Sequence, residues 1–377
     1  MKKGENLMKK RRKLFYRHRL ASSIFYLFSF ATLICTVSIV YTSITSSLNI
    51  SGEGEVDAPV NEYYYKSGYF YEDEACTKSS GISKFSEAVQ KIASPGTIYM
   101  MNGYEVRDRT EEVTVGAKNI QVKRHPNFKI YSMFDIRGVS SKYVTFTIKA
   151  EDPSGSIVFD GQNREVSTCE GGIFNIEGAN AKLNIIGSES NGEKNVKLIN
   201  NKLKASDVSC GVIYNYDNST TELTNCELSN NSIYNSSSSF RSHGGAIEGT
   251  SDTTLKLNSC TIRNNIASGT SSDTKGGGVY NGNSMTIKGK TIIEGNKSII
   301  NGVEKEDNLY LDSSTVNTSG LTSGSRIGIT TSSTPTSSSN VTISPSGSAA
   351  STASYFFSDV SGYIVSLVNN ALVLKVG

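Results

Sequence analysis

The chain has 377 residues, of which 37% are hydrophobic and 19% charged, and its formal net charge is +3. The first 20 residues contribute +8 of this charge, so the rest of the chain carries −5. A mildly acidic body lacks the basic surface that displaces counterions from phosphates, and we therefore expect no nucleic-acid partner.

The basic segment, residues 1–20, leads into an uncharged and largely apolar segment, residues 21–44. This segment is long enough to cross ~30 Å of hydrocarbon as a helix, and positive flanking residues favour a cytoplasmic N-terminus. A cleaved signal peptide is the alternative, but the apolar run exceeds the ~7–15 residues of a usual signal core and no Ala-x-Ala site follows it. The pattern favours a membrane anchor with the body outside the membrane, and a secreted protein if the segment is cleaved.

Residues 45–62 have the polar composition of a linker, and residues 63–96 are predicted to form an N-terminal cap. The cap begins with an aromatic patch in which Tyr63, Tyr64 and Tyr65 are followed by Tyr69, Phe70 and Tyr71. Packing over the first turn of the fold is favoured for this patch over stacking on a glycan.

A short amphipathic helix is predicted over residues 83–93 of the cap. Its apolar residues follow the i, i+3, i+4, i+7 spacing of one helix face, namely Phe85, Ala88, Val89 and Ile92. Ser83 is the expected N-cap, and Pro95-Gly96 stops the helix. Such a helix would cover the open end of a sheet, which solenoids need in order to stay soluble.

Three stretches between residues 211 and 292 repeat one another. Tyr214, Ile247 and Tyr280 are 33 and 33 residues apart, and Cys226 and Cys260 are 34 apart. A fixed period of this length is the mark of a solenoid.

Short β-branched and aromatic runs recur throughout residues 97–329 and are typical of strands, as in Ile120–Val122, Val144–Ile148, Ile157–Phe159 and Leu183–Ile186. Each repeat holds about three such runs, whereas a propeller blade needs four. We therefore predict an all-β fold, a single-stranded right-handed parallel β-helix, in preference to an antiparallel sandwich or a propeller.

Asparagines end corresponding strands of the repeats. Asn201, Asn231, Asn265 and Asn296 are spaced 30, 34 and 31 residues apart. In coils ~4.8 Å apart, identical Asn side chains can hydrogen-bond along the stack as a ladder. Asn also tolerates the left-handed backbone of sharp corners, and Gly245 and Gly278 are assigned the equivalent glycine bends.

Five cysteines follow the apolar segment: Cys76, Cys169, Cys210, Cys226 and Cys260. An odd number cannot all pair within one chain. Two interpretations stay open, namely small buried hydrophobic residues in stacked turns, which is favoured, and disulfides between neighbouring turns. No Cys-x-x-Cys pair or His cluster occurs, so we expect no metal and no cofactor.

The end of the chain changes composition twice. Residues 330–352 are dominated by Ser and Thr and are predicted to be a loop or a stalk-like stretch. Apolar runs return in residues 353–377, which are predicted to be closing strands.

The Gly-Gly-Ala-Ile segment at 244–247 and the Cys-Thr-Ile-Arg-Asn-Asn segment at 260–265 resemble those of bacterial right-handed parallel β-helix surface proteins. They are also similar to the Gly-Gly-Ala-Ile repeats of polymorphic outer-membrane proteins. The resemblance covers residues 85–375 and implies surface display, often adhesion, and no enzymatic role.

Parallel β-helices also host polysaccharide lyases and glycosidases, and the latter need two carboxylates roughly 5–10 Å apart. Acids such as Glu227, Glu248 and Asp252 are sparse in the repeats and do not align. His243 and Arg263 could form a substrate-binding pair, but a loop histidine satisfied by its neighbours is the simpler interpretation. We therefore expect no catalytic residues.

The leading hypothesis is a non-catalytic, membrane-anchored extracellular adhesin or ligand-binding module whose partner is a glycan or a protein. The alternatives are a polysaccharide-active β-helix enzyme and a purely structural surface component. The sequence does not fix the oligomeric state.

Overall fold

The structure is a computed structural model that describes residues 58–128, 132–139, 142–166, 172–205 and 209–377. The predicted basic segment, the membrane segment and most of the linker lie outside the described residues. Within the described ranges, no helix is both long and apolar enough to span a bilayer. The chain divides into two compact units, Met1–Pro59 and Val60–Gly377, and the following paragraphs concern the second.

The N-terminal part of this unit combines three short strands with a helix. The elements are β1 (Glu62–Lys66), β2 (Tyr69–Tyr71), β3 (Ser79–Ile82) and α1 (Phe85–Lys91). Strand β1 pairs in parallel with the first strand of the solenoid, and β2 and β3 extend it as an antiparallel meander. The aromatic patch therefore packs on the first turn, as predicted, with Tyr63, Tyr65 and Phe70 buried.

The solenoid follows as a series of coils. The first three coils contain β4 (Gly96–Met100), β5 (Tyr104–Arg107), β6 (Thr110–Thr114), β7 (Asn119–Arg124), β8 (Phe134–Arg137), β9 (Val144–Lys149), β10 (Ser156–Asp160), β11 (Glu165–Val166), β12 (Phe174–Glu177) and β13 (Ala181–Ile186). The next two contain β14 (Glu189–Ser190), β15 (Glu193–Lys194), β16 (Val196–Ile199), β17 (Lys202–Ala205), β18 (Ser209–Cys210), β19 (Ile213–Tyr216), β20 (Thr220–Thr224), β21 (Cys226–Ser229), β22 (Ser232–Asn235), β23 (Ser242–His243), β24 (Ile247–Gly249) and β25 (Thr254–Asn258).

The last two coils contain β26 (Thr261–Arg263), β27 (Ile266–Gly269), β28 (Thr274–Lys275), β29 (Val279–Asn281), β30 (Ser284–Gly289), β31 (Ile292–Glu294), β32 (Lys297–Ile300), β33 (Val303–Glu306), β34 (Leu309–Leu311) and β35 (Val316–Leu321). A closing segment contains β36 (Arg326–Thr331), β37 (Val341–Ser344), a 3-10 turn (Ala353–Tyr355), β38 (Phe356–Ser358), β39 (Tyr363–Val368) and β40 (Ala371–Val376).

Each coil contributes one strand to each of three parallel ladders, which we call faces 1, 2 and 3. Face 1 consists of β4, β7, β10, β16, β21, β26 and β31, and face 2 of β5, β8, β12, β19, β24, β29 and β34. Face 3 is a separate seven-stranded sheet of β6, β9, β13, β20, β25, β30 and β35. The predicted parallel β-solenoid is confirmed, as are the four strands named from the sequence; the handedness of the coil remains a prediction.

The core fills the space between the three faces with inward-pointing apolar side chains. Strands of faces 1 and 3 alternate buried and half-buried residues because successive side chains point to opposite sides of the pleat. The widest part of this core is aromatic: Phe134 stacks on Phe146 and Phe174 with ring centroids 5.5 and 5.1 Å apart.

Helix α1 is shorter than predicted and its N-cap differs. It spans Phe85–Lys91 rather than residues 83–93, and its N-cap is Lys84, whose side chain makes no capping hydrogen bond. The prediction of Ser83 as the cap is therefore wrong. The physical reason is that the first turn is capped from outside the helix: Phe85 N donates to Tyr104 Oη at 2.9 Å, and Ser86 N donates to Glu111 Oε1 at 2.9 Å.

The Ser-rich segments after face 1, within residues 232–243 and 266–275, contain paired strands. Strands β22 and β27 pair in register from Ser232↔Ile266 to Asn235↔Gly269, and β23 pairs with β28. These strands form an arm that stacks beside the coils. Backbone hydrogen bonding does not depend on side-chain type, so polar segments of equal length can join a stack that their neighbours hold in register.

The closing segment also differs from the prediction. Within residues 330–352, Val341–Ser344 forms strand β37, which pairs antiparallel with β40. Ile343 and Ser344 are fully buried. The segment was predicted to be a loop because Ser and Thr dominate its composition and its apolar run is short. Strand β37 belongs to a three-stranded sheet with β40 and β39.

Candidate functional site

The four predicted asparagines form a buried hydrogen-bonded ladder at the end of face 1. Asn231 Nδ2 donates to Asn265 Oδ1 at 2.8 Å, and Asn265 Nδ2 donates to Asn296 Oδ1 at 2.9 Å. Asn201 joins through its backbone, since Asn201 N donates to Asn231 Oδ1 at 3.0 Å. The ladder continues to Asn308, a member that the sequence analysis missed, with 3.1 Å between Asn296 Nδ2 and Asn308 Oδ1.

Three of the ladder members, Asn201, Asn231 and Asn265, directly follow another asparagine, which has a different role. Asn200, Asn230 and Asn264 have φ angles of 56°, 58° and 57°, the left-handed conformation that turns the chain. The first residue of each Asn pair therefore makes the corner, and the second makes the ladder.

Charged groups terminate the ladder at both ends. Arg124 Nη2 donates to Asn201 Oδ1 at 2.6 Å, and Asn308 Nδ2 donates to Asp359 Oδ1 at 2.7 Å. Between Asn231 and Asp359, one N–H of each side-chain amide points toward the C-terminal coil and each side-chain oxygen points toward the N-terminal coil. A cation at the oxygen end and an anion at the N–H end are thus the charges that the aligned amide dipoles favour.

The two predicted glycines lie where neighbouring coils approach most closely. A Cβ at Gly278 would lie 2.8 Å from the Nδ2 of Asn296, and a Cβ at Gly245 would lie 2.7 Å from the backbone N of Ile266. Gly278 therefore makes room for the ladder, and Gly245 makes room for the adjacent bend.

The cysteines that the structure describes are unpaired. Cys226 and Cys260 are fully buried at matching positions of neighbouring coils, and with Cys76 they are free thiols. Burial and the neighbouring Cys260 raise the pKa of the Cys226 thiol. Cys169 lies outside the described residues, and Cys210 is described for its backbone only.

Face 2 carries a register column of polar and aromatic side chains, and we call this column, together with the adjacent residues Arg241, His243, Asp273 and Lys275, the face-2 strip. The paired positions are Asp135, Asn175, Tyr214, Glu248, Tyr280 and Tyr310. The sequence spacing aligned Tyr214 with Ile247, and this alignment is wrong by one residue. Ile247 is instead paired with Ile213 inside the core, because the coil lengths at this position are unequal.

His243 lies at the centre of the face-2 strip between two carboxylates. Its Nδ1 is 3.3 Å from Glu248 Oε1 and its Nε2 is 3.1 Å from Asp273 Oδ1. Arg241 Nε also approaches Glu248 Oε1 at 3.1 Å, and Lys275 Nζ lies 2.8 Å from Asp273 Oδ1. Cations and carboxylates therefore alternate along this part of the strip.

Ring stacking orders the same groups along the solenoid axis. The His243 ring lies 3.8 Å from that of Tyr280, and Tyr280 lies 5.7 Å from Tyr310, with all three rings nearly parallel. Lys275 lies over the Tyr310 ring at 5.3 Å, which adds a cation–π contact. The facing sides of these rings are thus in contact with one another.

The electrostatic environment favours fixed charges in the strip. Burial alone would lower the pKa of His243, but its hydrogen bonds to Asp273 and Glu248 outweigh burial and raise this pKa. The hydrogen bond from His243, assisted by Lys275, lowers the pKa of Asp273. Burial and the hydrogen bond to Asp312 raise the pKa of Tyr280. The surroundings therefore favour the protonated form of His243 and the ionised form of Asp273.

The sequence suggested His243 and Arg263 as a substrate-binding pair, and the structure does not bring them together. His243 lies in the face-2 strip, whereas Arg263 projects from face 1 and pairs with Glu227 at 3.0 Å. Over the described ranges, no group of three His, Cys, Asp or Glu residues could hold a metal ion. The tyrosines of the strip were missed as site residues, although Tyr214 and Tyr280 both follow a glycine bend.

No protein-family model matches this chain, and neither does any curated protein or solved structure.

Proposed function

We propose that this chain is a non-catalytic, membrane-anchored extracellular solenoid that binds a surface ligand through the face-2 strip. The observation that carries the proposal is the row of charged and aromatic groups centred on His243, at the junction of face 2 and the arm. Three of its rim groups reach solvent, with side-chain exposures of 32% for Arg241, 47% for Asp273 and 27% for Lys275.

The chemistry of the strip favours a polar, uncharged or zwitterionic ligand. Arg241, His243 and Lys275 are matched by Glu248, Asp273 and Asp312, so the strip has hydrogen-bonding groups of both kinds without a large net field. Fixed donors and acceptors of this type suit sugar hydroxyls or a peptide backbone, and they give specificity by penalising a ligand that leaves one unpaired.

The arrangement supports binding rather than hydrolysis. An acid–base pair of carboxylates requires one group that is protonated beside one that is ionised. Asp273 is held ionised by the hydrogen bond to His243 and by the ion pair with Lys275. Burial raises the pKa of one strip carboxyl, Asp135, but this group lies three coils from Glu248 and is paired with Arg137, so it is not placed as the acid partner of Asp273.

A ligand screen of the full-length chain in detergent tests this proposal. We expect binding to a defined subset of a glycan array or of an extracellular protein array. The double substitution Asp273→Asn with Lys275→Gln should reduce the affinity for that ligand by about tenfold or more. Absence of binding to any ligand on either array would instead favour a purely structural surface component.

The chain offers a matched control for the double variant. Glu222 and Lys256 form an ion pair on face 3 with the same 2.8 Å separation as Asp273 and Lys275. The variant Glu222→Gln with Lys256→Gln should leave ligand affinity unchanged. An equal loss in both variants would contradict a binding role for the face-2 strip.

A polysaccharide-active enzyme is the second candidate, and Glu248 is the observation that favours it. This glutamate is fully buried beside His243, and within the described structure its Oε2 has no hydrogen-bond partner. If the enzyme hypothesis is correct, the full-length chain will depolymerise at least one acidic or neutral polysaccharide, and Glu248→Gln will abolish turnover. Absence of turnover across a broad polysaccharide panel would exclude it.

A further inference from the structure

A second surface feature lies on face 1, close to the N-terminal cap and apart from the face-2 strip. It is a cleft of about 290 Å³, here called the Tyr99 cleft, whose walls include Tyr64, Glu74, Tyr99, Lys123, Arg124 and Arg164. Its volume is near the lower end of the range for small-molecule sites.

One wall of the Tyr99 cleft is aromatic. Tyr64 and Tyr99 occupy paired positions of β1 and β4, and their rings stack with centroids 5.0 Å apart and an angle of 14° between the planes. Both side chains are half-buried, so they present an apolar surface next to polar groups. Such a surface accepts the flat apolar side of a ring-shaped ligand.

The next position in the same register column is a cation. Lys123 pairs with Tyr99 across β4 and β7, and Arg164 lies at the opposite wall, exposed to solvent. Within the described residues, neither of these cations has a carboxylate within salt-bridge distance. Both are therefore available to a ligand.

Arg124 adds a third cation beneath the cleft. Its side chain is 1% exposed, and its Nη2 is used by Asn201 and by the carbonyl oxygen of Gly172. Its Nε and Nη1 have no hydrogen-bond partner within the described part of the chain. A buried guanidinium without a carboxylate partner is costly, and an anion placed beside it would lower that cost.

The acids near the cleft bind other groups than these three cations. Glu74 is bound by His125, with 3.0 Å between Oε1 and Nε2. Asp160, which pairs in register with Lys123, accepts hydrogen bonds from Gln162 N at 2.7 Å and from Asn200 Nδ2 at 3.2 Å. These two carboxylates, and Glu62, which accepts from Tyr64 Oη at 2.9 Å, are engaged by donors other than Lys123, Arg124 and Arg164.

We propose that the Tyr99 cleft binds a carboxylate-bearing sugar residue, with the carboxylate among Lys123, Arg124 and Arg164 and the sugar ring against Tyr99. The combination of cations with an adjacent aromatic wall favours a ring that carries an acid over a bare anion. A bare anion would use the charges and leave the aromatic wall exposed. The inference does not depend on the role proposed for the face-2 strip.

Calorimetry on the full-length chain tests this inference with methyl glucuronide, methyl glucoside and inorganic phosphate as probes. Methyl glucuronide should bind at least tenfold more tightly than methyl glucoside, because the two sugars differ in the carboxylate. Its affinity should fall at higher ionic strength. Equal affinity for the two sugars, or no binding of the glucuronide at about ten millimolar, would overturn the inference.

Variants test separately whether the cations bind the carboxylate and whether Tyr99 binds the sugar ring. Lys123→Gln with Arg164→Gln should weaken glucuronide binding about tenfold, and Tyr99→Leu should weaken glucuronide but not phosphate binding. Phosphate that binds as tightly as glucuronide, together with a neutral Tyr99→Leu variant, would overturn the assignment to a sugar.

Two controls separate this site from other effects. Lys288→Gln with Lys290→Gln removes two exposed cations from face 3 and should leave glucuronide affinity unchanged. Asp273→Asn with Lys275→Gln should also leave it unchanged, so a failure of the face-2 proposal is distinguishable from a failure here. A loss of affinity in the face 3 control equal to that of the cleft variant would contradict the inference.

Discussion

At the scale of single residues, Asn265 shows how the ladder stabilises the fold. Its Nδ2 donates to Leu228 O at 3.0 Å and to Asn296 Oδ1 at 2.9 Å. Its Oδ1 accepts from Asn231 N at 3.1 Å and from Asn231 Nδ2 at 2.8 Å. One buried amide thus satisfies polar groups of two neighbouring coils, and a buried polar group left without a partner costs about 1–3 kcal/mol.

Substitution Asn265→Leu should therefore lower the free energy of unfolding by at least about 3 kcal/mol, because several buried groups lose their partner together. The midpoint and slope of urea denaturation measure this change. Asn258→Leu is the control, since Asn258 is exposed at the end of β25. Its effect should remain within about 0.5 kcal/mol. Similar losses in both variants would contradict a special role for the ladder.

Asp359 gives the end of the ladder a pH dependence. Burial raises the pKa of this carboxyl from 3.8 to about 6, although Asn308 and Thr330 donate hydrogen bonds to it. Between about pH 4 and 6 the folded chain binds this proton more tightly than the unfolded chain does. Stability from this group is therefore present below about pH 4 and is lost as the pH rises to about 6.

Urea midpoints measured from pH 4 to 7 check this expectation. Removal of this carboxyl in Asp359→Asn should make the slope less negative than in the unsubstituted chain. The slope will not vanish, because burial also raises the pKa of Asp307 and gives a contribution of the same sign. The raised pKa of His243 acts at higher pH, where its stabilisation is lost as the pH passes that pKa. Parallel curves for the two proteins would contradict the assignment to Asp359.

At the scale of elements, helix α1 depends on the first coils for both of its ends. A helix of seven residues is too short to be stable alone. Tyr104 and Glu111 accept from its first N–H groups, and Lys118 Nζ donates to Val89 O at 3.0 Å and to Ile92 O at 2.8 Å. The carboxylate of Glu111 at the N-terminus and the ammonium group of Lys118 at the C-terminus also interact favourably with the helix dipole.

Lys118→Met should fray the C-terminal turn of α1, because the carbonyl oxygens that it caps lose their donor. Amide hydrogen exchange at residues 89–92 should accelerate about tenfold, which corresponds to about 1.4 kcal/mol. Lys91→Met is the control, since Lys91 is in the last turn and exposed. Unchanged exchange in Lys118→Met would show that the contacts of Lys118 do not hold the helix.

The helix also shows what the sequence could and could not predict. The spacing of Phe85, Ala88 and Val89 predicted its buried face, because periodicity is local. Its caps were not predictable, because Tyr104 and Glu111 are 19 and 25 residues from the N–H groups that they bind. The charged groups at the two ends of the ladder were not predictable for the same reason. Arg124 is 77 residues from Asn201, and Asp359 is 51 residues from Asn308.

At the scale of the solenoid, the period was predictable but the register was not. Repeated asparagines marked equivalent bends because each needs the same left-handed corner and the same amide contact. The face-2 strip was misaligned because Ile213, Ile247 and Val279 are paired, so successive intervals are 34 and 32 residues rather than 33 and 33. Unequal arms and bends change the length of a coil without changing the stacking of its strands.

The stacked register is the claim on which the ladder, the face-2 strip and the Tyr99 cleft all depend. Glu112, Thr147, Asn184, Glu222, Lys256, Thr286 and Asn317 form one paired column across face 3. Neighbouring strands are ~4.8 Å apart, so Lys256, Thr286 and Asn317 should lie roughly 19, 24 and 29 Å from Glu112.

Double electron–electron resonance measures these distances directly, with nitroxides attached through a non-natural amino acid at Glu112 and at each of the three other positions. The account predicts three narrow distributions whose centres increase by about 5 Å from one pair to the next. Distances that fail to increase along this series, or that coincide for two of the pairs, would contradict the in-register parallel solenoid.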